Sequence, residues 1–208
     1  LLKTFDLYLV SNTQTLKIEG CVITQGEFRF ERGSHLILSV SGNGKKLERV
    51  GDENYSLPGN LQSASSTRTP VKPLLDVEVG GSDVTNLAAA TLSVQNNIDW
   101  TPYETLQNSL SVTNATNAMY PSDYSLVDRN VSGNIPQFHT DANASEYQTF
   151  NTSTSVKIRT KVNGSIFFNA NLTDCMYTKR SEPTEVFTQT YDFRLVGTPN
   201  DLGNQITY

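Results

Sequence analysis

The chain contains 208 residues and carries a formal net charge of −5, with a sequence pI of about 5.0. Hydrophobic residues make up 37% and charged residues 18% of it, so neutral polar residues must cover much of the surface. This acidic balance argues against a protein that grips nucleic acid through a basic surface or adheres to anionic membranes, and no apolar run approaches the length that spans a bilayer.

The first predicted elements are strands. Residues 2–10 alternate apolar and polar side chains, and residues 21–45 are typical of a long hairpin with two different faces. In its first arm, Phe28 and Phe30 point to one side, whereas Glu27, Arg29 and Glu31 point to the other. The return arm alternates Leu36, Leu38 and Val40 with Ile37, Ser39 and Ser41.

A polar, irregular stretch follows at residues 45–73, with Pro58-Gly59, Pro70 and Pro73. A loop of this length inside a compact domain is usually functional or contacts a partner. Strand patterns of the same character resume at residues 75–79, 88–98 and 127–135. We therefore interpret residues 1–208 as a single domain rather than two domains joined by a linker.

The last part of the chain contains the single predicted helix, Asp141–Phe150, where Asn143 and Glu146 resemble a capping box. Two strands at residues 156–162 and 165–172 flank Asn163-Gly164, a dipeptide that strongly favours a tight hairpin turn. A final strand covers residues 187–195. The predicted fold class is mainly β with one short flanking α-helix.

Nothing in the sequence forms a convincing catalytic or metal site. His35 and His139 lie outside any known motif, and Asp76 and Glu78 share a strand face, where such carboxylates are ordinary. Cys21 and Cys175 are expected to be free thiols, because a disulfide would need an oxidising compartment. We predict that the protein is not an enzyme and binds no cofactor or metal.

The most basic part of the chain is one face of a predicted strand, formed by Lys157, Arg159 and Lys161. Three charges without interleaved aromatic residues are too few for a nucleic-acid surface. They suit an edge strand whose charges deter aggregation, or a contact with acidic residues of a neighbouring chain. We predict the contact between subunits.

Five segments follow one another along the chain: TLKIEGCVITQGEFRFERGSHLILSVSGNGK, AAATLSVQNNID, YSLVDRNVSGNIPQFHTDANASEYQTF, VKIRTKVNGSIFFNANL and FTQTYDFRLVGTP. Taken in this order, they resemble the tail tube proteins (major tail proteins) of long-tailed bacteriophages. Together they span nearly the whole chain. The family usually has more strand sequence before this point, and the chain does not begin with Met, so we expect that N-terminal sequence is missing.

The resemblance implies a β-sandwich or barrel-like fold whose copies close into hexameric rings. Such rings stack into a tube around a tape-measure protein and later conduct DNA without binding it specifically, and no membrane is involved. It also implies assembly in the host bacterial cytoplasm and a final location in the virion, with residues 45–73 as a contact between rings. A distal ring of the tail, built on the same fold, stays open as an alternative.

A tube that conducts DNA should have a neutral or acidic lining, because a basic lining would hold the phosphates. Glu27 and Glu31 are the first candidates for this lining, although Arg29 between them reduces the acidity of the row. Asp128 and Asn130 begin a second candidate row.

Two other functions compete with a self-assembling structural protein. A secreted carbohydrate-binding β-sandwich would contain a Cys21–Cys175 disulfide and an exposed aromatic platform, for which Trp100 and Tyr103 are the best candidates. A hydrolase that uses Asp76 and Glu78 ranks last.

Overall fold

A computed structural model of the chain describes residues 2–31, 34–52, 55–59, 74–101, 120–121, 123–140, 153–182, 187–196, 202 and 205–207. These residues form β-strands and no helix, so none of them belongs to a helix that could cross a membrane. The strands are β1 (Phe5–Val10), β2 (Thr15–Glu31), β3 (Ile37–Asn43), β4 (Lys46–Gly51), β5 (Leu74–Val79), β6 (Ser82–Asp83), β7 (Ala89–Trp100), β8 (Tyr124–Phe138), β9 (Thr154–Val162), β10 (Ser165–Glu182), β11 (Thr188–Leu195) and β12 (Ile206–Thr207).

Hydrogen bonds join the strands in the order β1-β2-β7-β8-β11-β10-β9-β5-β6, while β3 and β4 pair with β2 and β12 pairs with β10. The described part is therefore an open antiparallel sheet, which confirms the predicted mainly β class. The sandwich or barrel-like closure stays a prediction. The predicted helix Asp141–Phe150 lies outside the described residues.

The chain divides into two compact units. The first contains residues 1–25, 40–68 and 96–128, and the second contains residues 26–39, 69–95 and 129–208. Strands β2, β3, β7 and β8 contribute residues to both units. The interpretation of residues 1–208 as one domain stays a prediction.

The hydrophobic core lies in the second unit. Among the described residues it contains fifteen buried side chains: Phe30, Val77, Ala90, Leu92, Val131, Ile135, Val156, Ile158, Phe168, Ala170, Leu172, Cys175, Tyr191, Phe193 and Leu195. The ring of Phe168 lies 4.9 Å from that of Phe28 and 5.2 Å from that of Phe30. The predicted inward face of the first hairpin arm is therefore confirmed, and aromatic contacts fix it.

The predicted turn between β9 and β10 is also confirmed. Asn163 and Gly164 have φ angles of 52° and 83°, as a two-residue turn with left-handed central residues requires. Asn tolerates this region better than other residues with a side chain, and Gly adopts it freely.

Two elements differ from the sequence predictions. Lys46–Gly51 forms strand β4, although it lies at the start of the stretch predicted as the irregular loop 45–73. Its sequence KLERVG has no regular apolar alternation, and the strand is fixed instead by backbone pairing with β2. Residues 60–73 of that loop lie outside the described residues. In β3 every residue is exposed, so neither of its faces is buried in the isolated chain.

Both cysteines are buried free thiols, as predicted. Burial raises the pKa of the Cys175 thiol to about 12. Burial is also the main reason why the pKa of Cys21 lies above its ordinary value. The disulfide expected of a secreted carbohydrate-binding module is therefore not formed in this structure.

Gly133 allows strand β8 to lie close to its neighbours. It is paired with Phe193 on β11, and a β-carbon at this position would come within 2.6 Å of the Phe193 ring and would also overlap the carbonyl oxygen of Thr91. The backbone oxygen cannot move aside as a flexible side chain could. A glycine is therefore required here by close packing.

We expect Gly133→Ala to lower the free energy of unfolding by about 1–3 kcal/mol, because the added methyl group overpacks the core. Urea unfolding followed by circular dichroism measures this change. The matched control is Gly59→Ala, since no atom lies within 4 Å of the β-carbon position at Gly59; its expected change is at most about 0.5 kcal/mol. Equal unfolding midpoints for the two variants would contradict the packing argument.

Candidate assembly surfaces

The basic row predicted on β9 lies directly beside an acidic row on β5. The two strands are antiparallel, and the register places Arg159 opposite Asp76 and Lys157 opposite Glu78. Residues directly opposite each other on paired strands project to the same face. The other face of these strands carries the buried side chains Val77, Val156 and Ile158. The charged face is therefore held in place by the core beneath it.

Ion pairs connect all five charged side chains of this face, which we call the charge ladder (Asp76, Glu78, Lys157, Arg159 and Lys161). Lys157 Nζ lies 2.8 Å from Glu78 Oε2, and Lys161 Nζ lies 2.8 Å from Asp76 Oδ2. The guanidinium of Arg159 lies between the two acids, 3.1 Å from Asp76 Oδ2 and in contact with Glu78 Oε1. All five side chains are only partly exposed, which strengthens the pairing.

The sequence analysis recognised both rows but did not predict that they pair. Glu78 and Arg159 are 81 residues apart, so only the topology of the sheet brings them together. The basic row already has acidic partners in its own chain, and the three cations exceed the two acids by one charge. The predicted role of Lys157, Arg159 and Lys161 between subunits stays a prediction.

The charge ladder also bears on Asp76 and Glu78 as candidate hydrolase residues. A hydrogen bond from Lys157, followed by one from Arg159, holds the pKa of the Glu78 carboxyl below its ordinary value of 4.5. A general acid needs the opposite shift, so that it stays protonated at neutral pH. The environment of Glu78 suits an ion-pair partner that is ionised at neutral pH.

An exposed apolar cluster adjoins one end of the charge ladder. Leu74 and Ile166 both lie opposite Lys161, on the strands that flank it, and Phe167 follows Ile166 in the chain. The side chains of Leu74, Ile166 and Phe167 are all exposed. We call these three residues the apolar tip. Apolar side chains next to a partly desolvated charge resemble the anchor regions of protein interfaces.

The first candidate row for the lumen contains one ion pair. Arg29 Nε donates a hydrogen bond of 2.6 Å to Glu27 Oε1, and Glu31 at the end of β2 is exposed. The expected partial neutralisation by Arg29 is thus seen in the structure. The row keeps one net negative charge, since it contains two glutamates and one arginine.

The second candidate row lies on β8. Asp128 Oδ1 accepts a hydrogen bond from the side-chain amide of Asn97 on β7, and Asn130 is exposed. The opposite face of β8 carries the buried side chains Arg129, Val131 and Ile135. The polar character of the outer face follows from this alternation, while its position in a lumen stays a prediction.

The other residues considered in the sequence do not form a site in the described part of the chain. Trp100 is half-buried and packs edge-on against Tyr124, at a distance of 5.7 Å between ring centroids, and Tyr103 lies outside the described residues. His35 is exposed, whereas Nδ1 of His139 is buried. No group of three His, Cys, Asp or Glu side chains in the described ranges could hold a metal ion.

We expect the charge ladder to make stability fall in acid. Because the pKa of Glu78 is lower in the folded state, the unfolded chain binds more protons between that value and about 4.5. The stabilisation is complete above about pH 4.5 and is lost as the pH falls through the folded-state pKa. Urea midpoints from pH 7 to pH 3 should therefore decline more steeply for the parent protein than for Glu78→Gln. Glu31→Gln, at an exposed position, serves as the control, and identical slopes for all three proteins would contradict the expectation.

Comparison with known proteins assigns the chain to one protein family. No curated protein shows significant sequence similarity to the chain. The sequence does match the profile of the Bacteriophage Baseplate Tube Protein Family over residues 3–207, which is nearly its whole length. This match supports the resemblance to phage tube proteins in its general form, and it implies that the protein is a component of the virion. The chain belongs to the bacteriophage baseplate tube protein family.

Proposed function

We propose that the protein forms hexameric rings that stack into a segment of a phage tube. The family assignment over residues 3–207 carries this proposal. In it, the rings surround a tape-measure protein during assembly in the host cytoplasm and later conduct DNA. The protein has no catalytic role, needs no cofactor and contacts no membrane.

The exposed strand β3 supports self-association. It pairs with β2, and its apolar residues Ile37, Leu38 and Val40 are exposed on both faces. A long apolar strand of this kind is a template for pairing with another chain unless something covers it. Ring closure covers such strands, because each copy supplies the neighbour that the next copy needs.

The candidate lumen rows fit passage of DNA without specific binding. The row of Glu27, Arg29 and Glu31 is weakly acidic, and Asp128 with Asn130 adds a polar surface. Acidic groups around a ring repel phosphates from every side and keep the DNA near the axis, with an effect that extends about 8 Å at physiological salt. In the proposed ring, these rows face the channel.

The proposed tube segment could lie at either of two places along the tail. The family name points to the baseplate end, where a ring of this kind would connect the tube to the distal part of the tail. The main tail tube of a long-tailed phage is the second candidate, because the sequence segments resemble that family throughout. A baseplate segment would contain a fixed small number of rings, whereas a main tube polymerises to a length set by the tape-measure protein.

We expect negative-stain electron microscopy of the purified protein to show sixfold rings, either single or in short stacks. Native mass spectrometry should then give a mass of six chains of 23.0 kDa each. Long, open-ended tubes would favour the main tail tube over the baseplate segment. A chain that stays monomeric at the highest soluble concentration, in the presence of the tape-measure protein, would contradict the proposal.

Exchange of all charges in the charge ladder tests whether it acts between subunits. The variant carries Asp76→Lys, Glu78→Lys, Lys157→Glu, Arg159→Glu and Lys161→Glu, so every pair inside the chain stays opposite in sign. We expect the variant to fold and to lose ring formation, because the charges presented to a neighbouring copy are reversed.

The matched control is the exchange Lys46→Glu with Glu48→Lys, which inverts an ion pair of 2.6 Å on strand β4. Circular dichroism and the thermal midpoint verify that both variants are folded. Normal rings from the ladder variant would show that Lys157, Arg159 and Lys161 act only within their own chain.

A further inference from the structure

Strands β1, β2 and β4 form a ribbon in the first unit whose two faces differ sharply. The register aligns Leu7 with Ile18 and Leu47, and Leu9 with Leu16 and Arg49. Aligned residues project to the same side, so five aliphatic side chains and one arginine share a face. We call Leu7, Leu9, Leu16, Ile18 and Leu47 the leucine face. The opposite face carries aligned Tyr8, Lys17 and Glu48.

The outer strands of the leucine face are more exposed than the lysines of the charged face, whereas Leu16 and Ile18 on the central strand are half-buried. Leu7 and Leu47 are 42% and 58% exposed. On the charged face, the side chains of Lys17 and Lys46 are only 19% and 20% exposed. A sheet that packs on its own core normally buries the apolar face and leaves the charged face in water.

Contacts with tyrosine rings and with an acidic side chain reduce the exposure of the charged face. Tyr8 stacks on Tyr55 at 6.5 Å, and Lys46 Nζ lies 5.7 Å from the ring centroid of Tyr120. Lys17 Nζ lies 3.0 Å from Asp6 Oδ2. Tyrosine rings and ion pairs thus occupy this side of the ribbon.

The first unit has few buried apolar residues of its own. In its described part, the buried apolar side chains are Cys21 and Val22. The large exposed ones are Phe5, Leu7, Leu9, Val10, Ile23, Val40, Leu47, Leu57 and Val127. Three of them, Leu7, Leu9 and Leu47, share the leucine face, and apolar surface gathered in this way marks an interaction site.

We infer that a second copy of this chain covers the leucine face in the assembled protein. The inference rests on the proposed function, since it identifies the surface through which the copies associate. Arg49 is the one charge aligned with this face, so the occupant must be mainly apolar where it contacts the face, as the apolar tip of a second copy is. A lipid surface fits poorly, because interfacial membrane binding relies on several basic residues around the apolar face.

The leucine face is too small to form a stable interface by itself. Three strands about 4.8 Å apart, over a few residues of about 3.4 Å each, give roughly 200 Å² of sheet. A stable interface buries about 800 Å² on each partner, so the occupant must contact the chain at further points. The chain carries a second exposed apolar cluster, the apolar tip, and two different patches on one chain are what a head-to-tail ring needs.

The test compares Leu47→Asp with Val10→Asp. Both residues are 58% exposed and lie on the same ribbon, but Val10 projects to the face opposite the leucine face. Sedimentation velocity over a concentration series should show at least a tenfold weaker association for Leu47→Asp and an unchanged association for Val10→Asp. Circular dichroism and the thermal midpoint establish that both variants are folded.

Hydroxyl-radical footprinting of the parent protein provides a second measurement, with monomer and assembly compared by mass spectrometry. Oxidation of Leu7, Leu9 and Leu47 should fall on assembly, while that of Val10 should not. Protection already present in the monomer would mean that the chain's own residues cover the face. Protection that appears only on addition of phosphatidylcholine vesicles would mean a lipid occupant, and both results overturn the inference.

The two proposals fail in different ways. If the parent protein forms rings and Leu47→Asp forms them equally well, the leucine face is not the interface and the proposed function stands. If the parent protein stays monomeric under all conditions, both the proposed function and this inference are wrong.

Discussion

The contact of Phe28 and Phe30 with Phe168 fixes the orientation of the long strand β2, and much of the structure depends on it. Side chains alternate along a strand, so two phenylalanines in the core send Glu27, Arg29 and Glu31 to the opposite side. A shift of one residue would bury three charges and expose both rings. The alternation is interrupted near Gly20, whose φ is +61° and whose N–H donates a 2.9 Å hydrogen bond to Asp6 Oδ1. Because the bulge near Gly20 interrupts the alternation of β2, the residues before it and the residues after it can direct different kinds of side chain to the same face.

The two units have different kinds of stability. The second unit buries a continuous apolar cluster under strands β5, β8, β9, β10 and β11, and its charges form the ladder on the outer side. The first unit places ion pairs and tyrosine contacts on one face of its ribbon and leaves Leu7, Leu9 and Leu47 exposed. The buried core of the second unit needs no partner. The first unit lacks hydrophobic stabilisation of about 25 cal/mol for every Å² of apolar surface that it leaves exposed, and an oligomer that covered this surface would recover it.

Sequence patterns predicted the elements whose signals are local. The alternation at Val77, Ile158 and Phe193, the Asn163-Gly164 turn and the inward direction of Phe28 and Phe30 each depend on a few adjacent residues, and the structure agrees with all of them. Non-local features were missed for physical reasons. Strand β4 has no apolar alternation and forms through backbone pairing, and the ladder depends on β5 meeting β9. The leucine face combines residues of three strands, so no single stretch of sequence reveals it.

The burial of the Cys175 thiol affects how the virion resists oxidation outside the cell. A virion persists in oxidising surroundings outside the cell, where exposed thiolates would form disulfides or higher oxides. Because burial raises its pKa to about 12, the Cys175 thiol stays protonated, and so poorly reactive, near neutral pH. In the proposed rings every subunit carries this cysteine, so a reactive thiol would be a site of chemical damage in each copy. The buried Cys175 side chain therefore behaves as a small apolar group, and oxidation should not form a disulfide at this position in the virion.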